Sequence, residues 1–111
     1  MSQYSYLEQH EKAADDYKTS IEYCNKAINV DPKCARAYAN RASDYRGLKQ
    51  YDKAIKDYDE ALRLDNNYAW AYLERGICHY RLKEYDKAIA DLKKAVEIDP
   101  YYLFTLDGVK C

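Results

Sequence analysis

Apolar positions recur at helical spacing twice over. In residues 35–68, Tyr38, Ala42, Tyr45 and Leu48 make one stripe, and Ala54, Ile55, Tyr58, Ala61 and Leu62 make a second. In residues 69–102 the pattern returns as Tyr72, Gly76, His79 and Leu82, then Ala88, Ile89, Leu92, Ala95 and Val96. Polar residues fill the intervening faces, and period-two alternation is sustained nowhere, so the spacing predicts an all-α chain. Each stretch reads as a helical hairpin of about 14 residues per helix. Residues 47–52 interrupt the first hairpin, and Asp52 and Asp86 are expected to cap the second helices with their carboxylates. Asp65-Asn66-Asn67 and Asp99-Pro100 then end those helices, since proline cannot continue one.

The two stretches are one 34-residue unit written twice, identical at 15 of 34 positions without a gap. One period earlier, residues 1–34 read as a third, worn copy. Tyr17, Ile21, Ala27, Val30, Asp31 and Pro32 stand opposite Tyr51, Ile55, Ala61, Leu64, Asp65 and Asn66. Its first helix is polar, with Glu8 and Glu11 at the places of Ala42 and Tyr45; a terminal repeat lacking one neighbour calls for that polarity. A frayed segment is the alternative. The expected architecture is one domain, residues 1–111, with units 1–34, 35–68 and 69–102. Residues 103–111 form either a short apolar cap or the start of a further repeat. Small residues at Ala42/Gly76, Ala54/Ala88 and Ala61/Ala95 permit close helix approach.

Charge and composition narrow the function. The net charge is −1 and 33% of residues are charged, which provides no basic field for nucleic acid or anionic membrane. No apolar run approaches the ~20 residues of a membrane helix. The first residues have neither a basic nor an apolar leader region, so a cytoplasmic location is expected. Cys24, Cys34, Cys78 and Cys111 match no zinc or CxxC spacing, and reduced thiols are expected. His10 and His79 have no ligand cluster around them, so neither metal nor cofactor is expected; His79, at the place of Tyr45, reads as packed. Gly47, Gly76 and Gly108 are isolated and make no phosphate loop. Asp15-Asp16, Asp57 with Asp59, and Glu97 with Asp99 read as exposed acids rather than an acid/base pair. Catalysis is not expected.

The aromatic–small–aromatic first helix (Tyr38, Ala42, Tyr45; Tyr72, Gly76, His79) resembles the tetratricopeptide repeat. So does the second helix, with Ala54, Tyr58, Ala61 and Asn66, then Ala88, Leu92, Ala95 and Pro100. The resemblance implies a right-handed α-solenoid of about three hairpins whose first helices line a concave groove for a peptide or protein segment. The co-chaperone branch of the family grips acidic tails with Lys, Asn, Asn, Lys and Arg. Carried over residue by residue, Asn40 alone matches, against Ser5, Gln9, Trp70 and Glu74 at the other four places. Glu74 would repel a carboxylate, so that mechanism is disfavoured.

By the same resemblance the groove carries Tyr6, Gln9, Lys12, Arg36, Ala39, Asn40, Ser43, Arg46, Trp70, Leu73, Glu74, Ile77, Tyr80 and Arg81. Trp, Tyr and Arg are the residue types that most often anchor partners. An apolar anchor beside acidic residues is the expected ligand, with Trp70, Ile77 and Tyr80 seating the anchor and the arginines pairing with the acids. Packing of Trp70 between hairpins is equally open. A monomer is expected. The second reading is self-assembly, in which Tyr101, Tyr102, Leu103, Phe104 and Leu106 stack the last hairpin on another copy's worn first repeat.

Overall fold

The computed structural model describes the backbone of residues 3–101 and the side chains of residues 13–101. Five helices follow one another: α1 (Gln3–Val30), α2 (Ala35–Gly47), α3 (Tyr51–Leu64), α4 (Ala69–Arg81) and α5 (Tyr85–Ile98). No strand occurs among the described residues. Helices α2 and α3 form one hairpin and α4 and α5 the next; α4 also packs on α3, and α1 packs on α2. The result is an all-α solenoid.

The hairpin turns do not use glycine. Lys49 and Lys83 take the left-handed conformation, at φ of 62° and 64°. Around the first of them the Gln50 amide reaches the Tyr45 carbonyl at 2.8 Å and the Lys49 amide reaches that of Arg46 at 2.9 Å. Glu84 with His79, and Lys83 with Tyr80, repeat both bonds. This is the paired closure that satisfies the last carbonyls of a helix. Gly47 has a different role: a Cβ there would overlap the Tyr17 ring of α1. The second helices are not capped as expected. Gln50 and Glu84 precede them without a side-chain cap bond, while Asp52 and Asp86 lie within the first turn, where their charge meets the positive end of the helix dipole.

Between hairpins the chain turns on Asp31, Asp65 and Asp99. Each carboxylate accepts the amide two residues on, from Lys33, Asn67 and Tyr101, at 3.1 Å. A short acidic side chain folding the backbone locally explains why the aspartate recurs every 34 residues.

The first unit departs from the expected hairpin, because α1 runs unbroken through the place of the turn. Residues 13–16 are Ala, Ala, Asp, Asp, where the next unit has Gly47, Leu48, Lys49 and Gln50. Alanine favours helix propagation, and no glycine stands at the place of Gly47. The expected cap at residues 103–111 lies outside the described residues, as do the side chains of Tyr6, Gln9 and Lys12.

The core centres on Tyr58, which is fully buried among Ala39, Ala42, Ala54, Ala61, Leu62, Ala71 and Cys78. Small residues on facing helices make room for that ring. Gly76 shows how close the approach is, since a Cβ there would lie 3.2 Å from the Ala88 carbonyl and 3.1 Å from the Asp91 Cβ.

Candidate functional site

Helices α1, α2 and α4 bound a cleft of about 610 Å³, lined by Ser20, Tyr23, Cys24, Ala27, Cys34, Arg36, Ala37, Asn40, Ser43, Asp44 and Trp70. Four of the residues expected in the groove meet here: Arg36, Asn40, Ser43 and Trp70. They come together because α2 and α4 present the same face one repeat apart. Arg36 and Trp70 are each the second residue of their helix. Arg36 and Asn40 are exposed, and Ser43 and Trp70 are half-buried.

Trp70 is packed on one side and open on the other. Its ring packs edge-on against Tyr58, with centroids 6.3 Å apart, and lies tilted on Tyr68 at 6.0 Å. Its remaining surface faces the cleft. Amphipathic aromatics often pack at one edge and stay open at another.

The other expected residues lie elsewhere. Leu73 and Glu74, expected on the open groove, are buried at 4% and 8% exposure. Glu74 is no free carboxylate, because the Arg46 Nε lies 2.8 Å from it and Arg46 is thereby committed. Burial pushes the Glu74 carboxyl above its ordinary pKa, with Arg46 and Tyr58 opposing that shift. Burial also raises the Tyr58 hydroxyl, and Cys78 beside the cluster is pushed up to about 12 by the same desolvation. Ile77 is half-buried. Tyr80 is exposed and packs edge-on against Tyr85 at 5.4 Å, and Arg81 is exposed at the far end of α4.

Asp57, read as exposed, is buried instead, and so is its counterpart Asp91. Arg41 holds Asp57, with its Nε and Nη2 each 2.7 Å from a carboxylate oxygen, and Asp57 is 7% exposed. Asp91, 6% exposed, is held in the same way by Arg75. The signal was available, since Arg41/Arg75 and Asp57/Asp91 are identical between the two copies. His79 is packed at 9% exposure, its Nδ1 2.8 Å from Glu84. That hydrogen bond holds the Glu84 carboxyl below its ordinary pKa.

The cleft's α1 wall, formed by Ser20, Tyr23, Cys24 and Ala27, was not anticipated, nor was Asp44. Asp44 is half-buried and accepts from the Cys24 thiol at 3.8 Å. Desolvation raises its pKa, opposed by hydrogen bonds from Ser20 and Cys24. Cys24, Cys34 and Cys78 are free thiols. Among the described residues no group of three or more His, Cys, Asp or Glu could hold a metal ion. No helix among them is long and apolar enough to cross a membrane.

The sequence matches the tetratricopeptide repeat description over residues 2–67 and again over residues 33–100. The chain belongs to the tetratricopeptide repeat family. Among solved structures, it is similar to MamA, at 31% identity over 72% of this chain and with a TM-score of 0.69. It spans about half of that protein, 47% of its chain. It is also similar to the first repeat domain of Spaghetti (RPAP3) bound to the HSP90 peptide SRMEEVD. That match has 29% identity over 84% of this chain and 75% of the other, with a TM-score of 0.76. The Arabidopsis OM64 repeat domain matches at 27% identity over 84% of this chain and 78% of the other, also at 0.76. A search of curated protein sequences finds no match. Membership in this family, together with peptide-bound structural relatives, makes the chain a helical repeat scaffold of the protein–protein interaction class.

Proposed function

We propose that this repeat domain binds a protein segment in the cleft between α1, α2 and α4, seating an apolar side chain on Trp70 and an acidic one at Arg36. One observation carries the reading: a single open cleft collects Arg36, Asn40, Ser43 and the open part of the sole tryptophan. A partly buried indole offers a large rigid surface at little entropic cost, and an exposed guanidinium next to it favours a carboxylate. The chaperone-tail clamp is not proposed. Glu74 stands at its arginine place and is already neutralised by Arg46.

The test is selection from a random peptide library on the immobilised domain, repeated with Arg36→Glu. Selected peptides are expected to pair a large apolar residue with acids on the wild type and to exchange acids for bases on the variant. Identical selections from both proteins would remove Arg36 from the site. The tryptophan fluorescence of Trp70 should shift on binding, because no other tryptophan contributes.

A further inference from the structure

Ser20, Tyr23 and Ala27 of α1 hold the repeat places of Ala54, Asp57 and Ala61 in α3, and of Ala88, Asp91 and Ala95 in α5. All six counterparts are buried, none more than 7% exposed. They are covered by α2 and α4, each the first helix of its own hairpin. On α1 the same places are open: Tyr23 is 66% exposed, Ala27 is exposed and Ser20 is half-buried. The reason is the missing turn. A helix that runs straight through residues 13–16 cannot fold its first half onto its own flank. The cleft of about 610 Å³ thus includes the vacant place of a first helix.

We propose that residues 3–14 of a second copy fill this place, each chain supplying the other, to give a two-fold dimer by arm exchange. The repeat register supplies the complementarity. In the two complete hairpins an arginine meets an aspartate, Arg41 with Asp57 and Arg75 with Asp91. In the first unit Leu7 and Tyr23 hold those places, so both members of the charged pair are replaced by apolar residues together. Lys12 and Asn40 hold the places of Arg46 and Glu74, again a donor toward an acceptor. Glu8 holds the tight place of Ala42 and Gly76, yet Cys24 replaces the larger Tyr58 and Leu92 beside it and leaves room. The segment therefore suits the vacancy, while Ala13, Ala14, Asp15 and Asp16 keep the chain from turning back to reach it. Exchange between copies satisfies both constraints.

The test is light scattering and sedimentation of the full chain over a wide concentration series. A concentration-dependent dimer is expected. Leu7→Asp and Tyr23→Arg should each weaken it about tenfold or more, because each leaves a charge facing an apolar partner. Mixing the two variants should restore it, since each heterodimer then holds one oppositely charged pair and one unaltered Leu7–Tyr23 pair. Asp15→Gly, at the place of the left-handed Lys49, favours the turn and should shift dimer to monomer. That variant tests the proposal even if the other two fold poorly. A monomer at every concentration overturns the proposal, as does a dimer indifferent to all three substitutions or a mixture that fails to recover. The exchanged arm and a bound segment would occupy the same cleft, so a library-selected peptide should convert dimer to monomer. A dimer unchanged by a peptide that shifts Trp70 fluorescence overturns the arm exchange, whereas selections indifferent to Arg36→Glu overturn the peptide reading alone.

Discussion

Arg75 holds Asp91 across the last hairpin by two parallel bonds of 2.8 and 2.7 Å, and its third nitrogen reaches Asp59 of the preceding helix at 2.8 Å. One guanidinium thus ties a hairpin together and joins it to the hairpin before. Arg41 repeats the arrangement with Asp57 and, at 2.9 Å, Asn25. Removing one partner strands a buried charge, so Arg75→Ala should cost about 3 kcal/mol in denaturant unfolding. Arg63 and Glu60 are similarly close but lie on the open surface. Arg63→Ala should leave the unfolding midpoint unchanged. Equal losses from the two substitutions would mean that burial does not set the strength of these pairs.

Lys49 and Lys83 strain the two hairpin turns, because a side chain in the left-handed region crowds its own carbonyl. Lys83→Gly should raise stability by about 0.5–1 kcal/mol, the relieved strain exceeding glycine's greater chain entropy. Thermal unfolding of the single and double glycine variants checks this, with additive gains expected at the two separate turns.

Glu74 should make stability depend on pH in a defined direction. Its pKa is raised in the fold, so the native state takes up a proton before the unfolded chain does. The cost of burying its charge is therefore present at neutral pH and disappears as pH falls toward the ordinary value of 4.5. Glu74→Gln removes this dependence. The variant's stability relative to wild type should be greatest at neutral pH and decline on acidification. A difference that stays flat in urea unfolding across that window would show that Glu74 titrates like an exposed acid.

Trp70→Ala should lower both stability and binding. The ring is half-buried against Tyr58 and Tyr68, so the loss should be about 2 kcal/mol, short of the ~3–5 kcal/mol of a fully buried aromatic. Library-selected peptides should no longer bind under conditions where circular dichroism shows the helices intact.

The three described cysteines should differ in reactivity. Cys78 is fully buried, with its thiol pushed up to about 12, whereas Cys34 is half-buried at the cleft. The thiolate is the reactive form, so alkylation at neutral pH should mark Cys34 first and reach Cys78 only on unfolding. Peptide mapping after timed alkylation gives the order.

The 34-residue period, the four helices of residues 35–98 and the small residues facing Tyr58 were all legible along the chain. Helical stripes and helix-stopping Asp65 and Asp99 are local signals that survive without a partner in view. The straight α1 was foreshadowed by the worn residues 13–16, yet the recurring Asp31, Tyr17 and Ile21 argued as strongly for a hairpin. Resemblance transferred the hairpin to a segment whose turn chemistry had been lost. For the candidate site, the family resemblance named Arg36, Asn40, Ser43 and Trp70, which line one cleft, and the α1 wall followed only once the hairpin was seen to be open.

By itself the sequence determined the period and the helices of residues 35–98, because helical stripes and helix stops depend on contacts within one or two turns of helix. Tertiary structure alone decided which polar side chains are buried. Asp57 and Asp59 are two residues apart on one helix, yet one is clasped by Arg41 and the other lies on the surface. Glu74 likewise looked like a groove carboxylate until α2 brought Arg46 against it. Burial is a property of what the neighbouring helix covers, and the face that α1 leaves uncovered is where this repeat domain has room for another chain.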